Sequence, residues 1–271
     1  MKIAFCGFDI FSAVLDGLID SGAEIIKIYT CETDNITEFN SHVKEITEKG
    51  NIPIKTRKVT NEDLEWLDSV GCDAFFCAGY YYKIPITDKF PMINFHPAYL
   101  PIGRGLWPMA VAILEGHHEY GVTFHKMTNE LDAGDIILQE KFSMNGMNHA
   151  ELLEKINEKA YEMTKELYSD FQNLYQNATP QGDYEYWKNP KEEDYVLNGS
   201  ENEDEIKRIL NAFYGYYVHC QFNEREKLLL LNASLEKKPE HTEYIEIGKY
   251  KIWYTSKVNS CTQFNTRSTE K

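Results

Sequence analysis

Positive charge is scarce in this sequence: 28 Lys and Arg residues stand against 43 Asp and Glu residues, and the formal net charge is −15 over 271 residues. Residues 1–180 have a net charge of −12 and residues 181–271 a net charge of −3, so neither part is basic. Proteins bind nucleic acid largely through Lys and Arg on phosphates. The charge balance therefore argues against a nucleic-acid partner.

Cysteine is also sparse, with six residues and no Cys-x-x-Cys pair. Cys6 and Cys77 lie inside apolar runs, where a free thiol behaves as a small hydrophobic group. No His, Cys and Asp residues follow a metal-ligand spacing, so no metal is expected. This cysteine usage predicts a reducing compartment.

Long apolar segments are missing as well. No window approaches the roughly 18 consecutive apolar residues that span a membrane. The start, MKIAFCGFDIF, is too short an apolar run for a signal peptide with a cleavage site. A cytoplasmic protein without a membrane partner is expected.

Glycine-rich phosphate motifs are absent. The first strand-like run is followed by a single glycine, Gly7, and then by Phe8 and Asp9. Neither Gly-x-Gly-x-x-Gly nor the P-loop pattern occurs, which argues against NAD, FAD or nucleoside triphosphate binding through those motifs. A dinucleotide-dependent oxidoreductase therefore fits the strand and helix pattern but not the loop.

What the first part of the sequence does contain is an alternation of apolar runs and helical periods, each helix closed by a glycine or opened by a cap. This pattern predicts an α/β fold with a doubly wound, mostly parallel sheet. The predicted strands are 2–6, 24–30, 53–57, 73–78, 92–95, 120–127 and 136–142. The predicted helices are 11–19, 39–46, 62–70 with Asn61 as cap, 107–115 and one long helix over 148–178.

The composition changes near residues 179–200, where Pro, Gly, Asn and acidic residues replace the periodic pattern. We place a domain boundary there, between a domain of residues 1–180 and a small α+β extension of residues 181–271. In the extension the sequence predicts a helix over 203–213, strands over 226–235, 242–247 and 250–256, and a loose tail after 257. A unit this small is marginal alone, so it is expected to pack against another surface.

The sharpest motif is Asn94-Phe95-His96-Pro97. Residues two apart on a strand share a face, so Asn94 and His96 can meet while Phe95 enters the core. Pro97 ends the strand at that point. A neutral histidine can take a proton from a nucleophile, and an amide can donate to a developing oxyanion. Two unrelated polar residues at a strand end are the alternative.

A second motif, Leu131-Asp132-Ala133-Gly134-Asp135, precedes an apolar strand. A carboxylate in this turn could orient His96 and stabilise its charged form. The spacing alone does not decide between Asp132 and Asp135. An ordinary Asp-rich turn is the alternative.

Taken together, these motifs resemble the folate-dependent formyltransferase family over roughly residues 1–180. The segments that carry the resemblance are Asn94-Phe95-His96-Pro97, Tyr99-Leu100-Pro101-Ile102-Gly103-Arg104-Gly105, Trp107-Pro108, Gly121-Val122-Thr123 and Leu131-Asp132-Ala133-Gly134-Asp135.

The resemblance implies an enzyme that uses 10-formyltetrahydrofolate as formyl donor and an amine as acceptor. It assigns the family's catalytic residues to Asn94, His96 and Asp132, and leaves Asp135 a structural role. Asn94 is expected to stabilise the oxyanion, His96 to take up or relay the amine proton, and Asp132 to hold His96. The pterin pocket would involve the segment after the strand that precedes Asn94, namely Gly79, Tyr80, Tyr81, Tyr82 and Ile84. Loop packing is the alternative for each tyrosine.

Within the family, the sequence is most similar to the sugar N-formyltransferase branch. This implies a homodimer that formylates a dTDP-linked amino-dideoxyhexose, with dTDP-4-amino-4,6-dideoxyglucose as the first expectation and lipopolysaccharide O-antigen biosynthesis as the setting. The alternatives are a methionyl-tRNA formyltransferase-like enzyme, which the acidic extension argues against, and a non-catalytic nucleotide-sugar-binding protein.

Such a substrate carries a pyrophosphate and a base. Arg104 and Lys83 are the candidate phosphate contacts, because a protein with a net negative charge must place positive side chains together where it binds a pyrophosphate. Trp187 and Phe213 are the candidate base-stacking aromatics. Solvated charges and core packing are the respective alternatives. His125 is expected to be a structural histidine, although its strand position could bring it near the site.

Overall fold

The computed structural model describes residues 1–223 and 226–259. The tail after 259, with Cys261, lies outside the described residues. Contacts divide the chain into two compact units. The first comprises residues 1–108, 118–144 and 153–187, and the second comprises residues 109–117, 145–152 and 188 onward.

The strands are β1 (Lys2–Gly7), β2 (Glu24–Tyr29), β3 (Ile54–Lys55), β4 (Ala74–Ala78), β5 (Met92–His96), β6 (Ile102–Arg104), β7 (Glu119–Lys126), β8 (Ile136–Ser143), β9 (Glu185–Tyr186), β10 (Val196–Leu197), β11 (Tyr217–Asn223), β12 (Glu226–Leu231), β13 (Glu243–Ile247), β14 (Tyr250–Tyr254) and β15 (Ser256–Asn259). The α-helices are α1 (Ala13–Asp20), α2 (Ser41–Gly50), α3 (Asn61–Ser69), α4 (Pro108–Glu115), α5 (His149–Ser169), α6 (Phe171–Gln176) and α7 (Glu203–Ala212). Short 3₁₀ helices span Asp9–Phe11 and Glu192–Tyr195.

The first unit is built on a seven-stranded sheet in the order β3-β2-β1-β4-β5-β7-β8. The first five strands are parallel, and β7 and β8 are antiparallel to their neighbours. All five residues of β4 are buried, as expected for a central parallel strand that is covered on both faces. The predicted α/β fold with a mostly parallel sheet is confirmed.

Strand order reverses beside β1, where β2 lies on one side and β4 on the other. Gly7 ends β1 so close to β4 that a Cβ atom on it would lie 2.3 Å from the carbonyl oxygen of Ala78. Open α/β sheets bind ligands at the carboxyl ends of their strands near such a reversal. The C-terminal ends of β1, β4 and β5 are therefore where a site is expected.

The helix boundaries correct two predictions. Thr60, not Asn61, caps α3, because the Thr60 hydroxyl accepts from the Asp63 N–H and the Asp63 carboxylate accepts from the Thr60 N–H. The predicted long helix over 148–178 is two helices, because Asp170 leaves the helical conformation at φ −130° between α5 and α6.

The second unit contains a four-stranded sheet in the order β10-β11-β12-β15 and the hairpin β13–β14. The sequence did not predict β11, and β12 ends at Leu231, earlier than predicted. The strand predicted over 250–256 is divided between β14 and β15.

None of the helices within residues 1–223 and 226–259 combines the length and the apolar character needed to cross a bilayer.

Candidate active site

Strand β5 presents Asn94 and His96 at its C-terminal end. It pairs with β7 so that Asn94 lies opposite His125 and His96 lies opposite Thr123. Phe95 points the other way and packs against the rings of Phe11 and Phe124. The alternation of a strand therefore brings the two polar side chains to one face.

His96 is buried, and both of its ring nitrogens face acceptors. Nε2 donates to the carbonyl oxygen of Gly103 at 2.9 Å, and Nδ1 lies 3.5 Å from Oδ1 of Asp132. Because a carbonyl and a carboxylate only accept hydrogen bonds, this surrounding stabilises the doubly protonated ring. Burial nevertheless lowers the pKa of His96 below 6.5, and His125 adds to that effect, while Asp132 and the Gly103 carbonyl oppose it. The ring is thus neutral near pH 7 and is provided with partners for the charge it gains on accepting a proton.

Asp132 supplies the carboxylate of the cluster. Its backbone is left-handed at φ 54°, and its Oδ2 accepts from the Gly105 N–H at 3.0 Å. Burial favours the protonated carboxyl, but the positive charges that His96 and His125 carry in acid, together with the Gly105 N–H, outweigh it and lower the pKa to about 2. Asp132 is therefore ionised at neutral pH. Of the two Asp residues in the turn, Asp135 instead lies 3.1 Å from Nζ of Lys126.

The turn that carries Asp132 requires glycine at Gly134. A Cβ atom there would lie 1.9 Å from the carbonyl oxygen of Lys126. The φ of Gly134 is not positive, so the requirement is one of space and not of backbone conformation.

His125 joins the cluster from β7. Nδ1 donates to the carbonyl oxygen of Lys126 at 2.8 Å, and Nε2 lies 3.1 Å from Nδ2 of Asn94 and 3.7 Å from Oδ1 of Asp132. With the proton on Nδ1, Nε2 accepts a hydrogen bond from the Asn94 amide. The sequence predicts a structural role for His125, and its alternation with Thr123 on a strand is the signal that indicates a position near the site.

The five residues implied for the pterin pocket follow β4. Ala78 pairs with Phe95, so Gly79 lies at the same sheet edge as His96. Gly79 has φ 68°, and a Cβ atom on it would lie 2.8 Å from the Ile10 side chain. A glycine is therefore needed to turn the chain here.

The side chains of that segment differ in their surroundings. The Tyr80 hydroxyl donates to the carbonyl oxygen of Arg57 at 2.6 Å, and burial raises the pKa of Tyr80. Ile84 is buried in the core, Tyr82 meets Tyr80 edge-on, and Tyr81 is 45% exposed. The segment thus offers backbone groups and one open aromatic ring at the sheet edge where a folate is expected.

The four residues proposed to contact the nucleotide are not all placed for that role. Lys83 is exposed. Arg104 is buried, and its guanidinium donates to Oε1 of Gln181, so it is engaged within the protein. Trp187 is buried against Gly103, and Phe213, in the second unit, is buried against Tyr195. Burial removes the ring faces of Trp187 and Phe213 that stacking would need.

Two open aromatic side chains, for which the sequence pattern makes no prediction, lie beside the segment 103–105. Tyr186 is 50% exposed and its ring covers Gly105, and Tyr184 is 58% exposed and stacks 4.1 Å from the Arg104 guanidinium. Burial and the charge of Asp132 raise the pKa of Tyr186. Only the pairing of β6 with β9 places these rings there, and local sequence carries no signal for it.

The fold and the cluster together define a class: a doubly wound α/β protein with a buried histidine, an amide donor and an ionised carboxylate at the carboxyl edge of its sheet. These are the groups that acyl-type transfer uses. Among residues 1–223 and 226–259, no group of three or more His, Cys, Asp or Glu side chains is placed to hold a metal ion.

Residues 1–170 match the family model described as formyl transferase. The match covers more than half of the chain, and the protein belongs to that family. The family expected from the sequence motifs is therefore confirmed.

Similar proteins differ in the substrate or the bound ligand that their names give. A methionyl-tRNA formyltransferase from Treponema denticola is 29% identical over 205 residues, which cover 71% of this chain and 64% of that protein. HypX from Aquifex aeolicus, solved in complex with tetrahydrofolic acid, has a TM-score of 0.69 at 20% identity, covering 96% of this chain and 44% of HypX. An N-formyltransferase from Helicobacter canadensis, solved with folinic acid and dTDP-3-aminofucose, has a TM-score of 0.64 at 18% identity, covering 93% and 98%.

The chain thus spans about two thirds of the first of these proteins and less than half of the second. At these identities the two solved structures establish likeness of fold. The similar proteins thus include a methionyl-tRNA formyltransferase and a structure solved with a nucleotide sugar.

Proposed function

We propose that this protein transfers a formyl group from 10-formyltetrahydrofolate to the amine of a dTDP-linked amino-dideoxyhexose. The observation that carries the transfer chemistry is the buried cluster in which Nδ1 of His96 lies 3.5 Å from Asp132 beside the Asn94 amide. Family membership supports the reaction class, and the fold shared with a folate-bound structure supports the donor.

The folate supplies the formyl carbon, and the amine nitrogen forms the new C–N bond to it. Asn94 donates to the formyl oxygen as negative charge develops there, since one N–H of its amide serves His125 and leaves the other available. His96 takes, at Nδ1, the proton that the amine loses, because Nε2 already carries the proton that it donates to the Gly103 carbonyl, and Asp132 stabilises the resulting imidazolium. The old C–N bond breaks, and the proton returns to the departing folate nitrogen. The products are a formamide and tetrahydrofolate.

The net charge of the chain and its match to a sugar-bound enzyme support a nucleotide sugar as the acceptor. A net charge of −15 opposes a polyanion such as tRNA but is compatible with a small ligand that carries two phosphates. The chain also matches the dTDP-3-aminofucose-bound enzyme over 98% of that enzyme's length. Lys83 is the exposed cation that remains available for a pyrophosphate, and Tyr184 and Tyr186 are open rings that could stack on a base.

A second acceptor, methionyl-tRNA, is favoured by a different observation. The relative from Treponema denticola that shares 29% identity over 205 residues formylates that substrate by name. The two acceptors share one catalytic cluster and differ in what must be bound beyond the amine.

The test is turnover with a defined panel. The protein is incubated with 10-formyltetrahydrofolate and each of several dTDP-linked 3-amino- and 4-amino-dideoxyhexoses, or with methionyl-tRNA, and mass spectrometry detects a mass gain of one formyl group. We expect formylation of one sugar and none with His96→Ala. Formylation of methionyl-tRNA alone would overturn the sugar proposal and keep the reaction class. Binding of sugar and folate without turnover would favour a non-catalytic binding protein.

We also propose that the protein forms a homodimer. The support is the small size of the extension, which calls for a further surface to bury its apolar residues. Light scattering coupled to size exclusion should give a mass near twice 31.5 kDa, and a mass of one chain would contradict it.

A further inference from the structure

The side chain of Gln181 lies between two loops of the candidate site. Its Nε2 donates to the carbonyl oxygens of Asp132 at 2.8 Å and Gly134 at 2.7 Å. Its Oε1 accepts from Nε of Arg104 at 3.1 Å and from Nη2 at 2.7 Å. Both amide hydrogens and the amide oxygen are therefore engaged.

The two loops joined in this way carry the partners of the reacting side chains. Gly103 provides the carbonyl that accepts from His96, and Gly105 provides the N–H that donates to Asp132. Arg104 lies between these glycines in the chain, and Asp132 and Gly134 belong to the opposite turn. The bridge from Arg104 through Gln181 thus links the segment that holds His96 to the turn that holds the carboxylate.

Arg104 is a buried part of this bridge and is not a surface residue. It is 4% exposed, and the central carbon of its guanidinium lies over the Tyr184 ring, 4.1 Å from the ring centroid. Its backbone oxygen accepts from the Trp187 N–H at 2.9 Å. A buried guanidinium must have partners for its donors. Gln181 supplies one oxygen for two of them, and Glu130 lies 3.6 Å from Nη1.

The backbone of Asp132 needs the support that the hydrogen bond from Gln181 provides. Its φ of 54° is in the left-handed region, which residues other than glycine adopt at an energetic cost. Gly105 holds its side chain and Gln181 holds its backbone carbonyl. Without the second contact, the turn is free to relax and to carry the carboxylate away from His96.

We propose that Gln181 and Arg104 are positioning residues, which hold the turn of Asp132 against the segment 103–105 so that the carboxylate stays beside His96. The proposal rests on the proposed function, in which Asp132 stabilises the charge on His96. It also assigns Arg104 a role other than the phosphate contact predicted from the sequence.

The test is Gln181→Leu, which removes all four hydrogen bonds at nearly constant volume. We expect kcat to fall by about 10-fold to 100-fold, with a smaller change in KM for both substrates, because the reacting groups are misplaced and not removed. Asp132 and His125 are the titratable groups that face His96. Because the Asp132 charge raises the pKa of His96, that pKa, followed by NMR of labelled histidine, should fall in the variant.

Asn157→Leu is the matched control. The Asn157 amide also donates to two backbone carbonyls, those of Ile10 at 2.9 Å and Leu153 at 3.0 Å, within the same unit. Its loss should lower stability but leave the His96 pKa and kcat near wild type. A stability loss alone therefore does not reproduce the expected result.

Gln181→Glu separates the two halves of the bridge and serves if Gln181→Leu does not fold. A carboxylate keeps the contact to Arg104 but cannot donate to Asp132 and Gly134, so kcat should fall as in Gln181→Leu. Wild-type kcat and an unchanged His96 pKa in either folded variant would overturn the proposal. Absence of formyl transfer by the wild-type protein would overturn the proposed function instead, and the His96 pKa would still report on positioning.

Discussion

The Asn94 amide donates to Nε2 of His125 across the β5–β7 pair, at a distance of 3.1 Å. The proton on Nδ1 of His125, held by the carbonyl of Lys126, makes Nε2 the acceptor. The amide is thereby oriented with one N–H committed and one available. An amide that must donate to a developing oxyanion benefits from this fixed orientation.

His125→Leu should therefore impair catalysis through Asn94. We expect kcat to fall about 10-fold in His125→Leu, about 100-fold in Asn94→Ala, and no further in the double variant than in Asn94→Ala. The measurement is steady-state formyl transfer by the four proteins of this cycle. Multiplicative losses would show that His125 acts through its 3.7 Å contact with Asp132 and not through Asn94.

The loss of activity at acid pH should follow the protonation of His96. The proposed mechanism needs this ring neutral, and its pKa lies below 6.5, so activity should persist below that pH and be lost as the ring protonates. In Asp132→Asn the negative charge that favours the imidazolium is gone, and the pKa should fall further. NMR titration of labelled histidine, with the His96 signal assigned by its loss in His96→Ala, checks both statements. A pKa that rises in Asp132→Asn would contradict them.

A second buried histidine should make the fold sensitive to acid. His149 begins α5, packs edge-on against Tyr216, and has a pKa lowered to about 4 by burial. The unfolded chain binds this proton near pH 6.5, before the folded chain does, so the free energy of unfolding falls as the pH drops from 6.5 toward 4. We expect about 2 kcal/mol of this loss between pH 7 and pH 5.

His149→Phe keeps an aromatic ring at that position and removes the titration. Urea unfolding at pH 7 and pH 5 should show a loss smaller than in wild type by that amount, because the contribution of His96 has the same sign and is present in both proteins. An equal loss in the two proteins would show that His149 does not titrate as its burial implies.

Gly134→Ala tests the turn at Asp132. The new Cβ would lie 1.9 Å from the carbonyl oxygen of Lys126, and backbone must move to accept it. We expect a loss of about 1–3 kcal/mol in the free energy of unfolding, together with a loss of kcat. Gly182→Ala is the control, because no atom lies within 4 Å of its Cβ and its φ is not positive. Its stability should be unchanged or higher by up to about 1 kcal/mol. Similar behaviour of the two variants would contradict the steric argument.

Local pattern was sufficient to predict the alternation of strands and helices in the first 145 residues, because burial periodicity and caps act over a few residues. It was less reliable where competing local contacts decide. Thr60 and Asn61 are both good caps, and the reciprocal bonds with Asp63 select Thr60. The spacing of apolar residues predicts one helix over 148–178, because it continues through Asp170 even though the backbone of Asp170 is not helical.

In the candidate site, too, some residues could be predicted from local sequence and others could not. Asn94, His96 and Asp132 could be named from the sequence because a strand alternates its faces and a motif carries a resemblance. The sequence by itself determined the reaction class, the family and the acidic character that bears on the acceptor. Only the tertiary structure decided the partners of those residues: His125 meets Asn94 through strand pairing, Gln181 reaches Asp132 across 49 residues, and Arg104 turns inward and not toward solvent. These contacts depend on register and on the meeting of distant loops, which no local pattern of residues encodes.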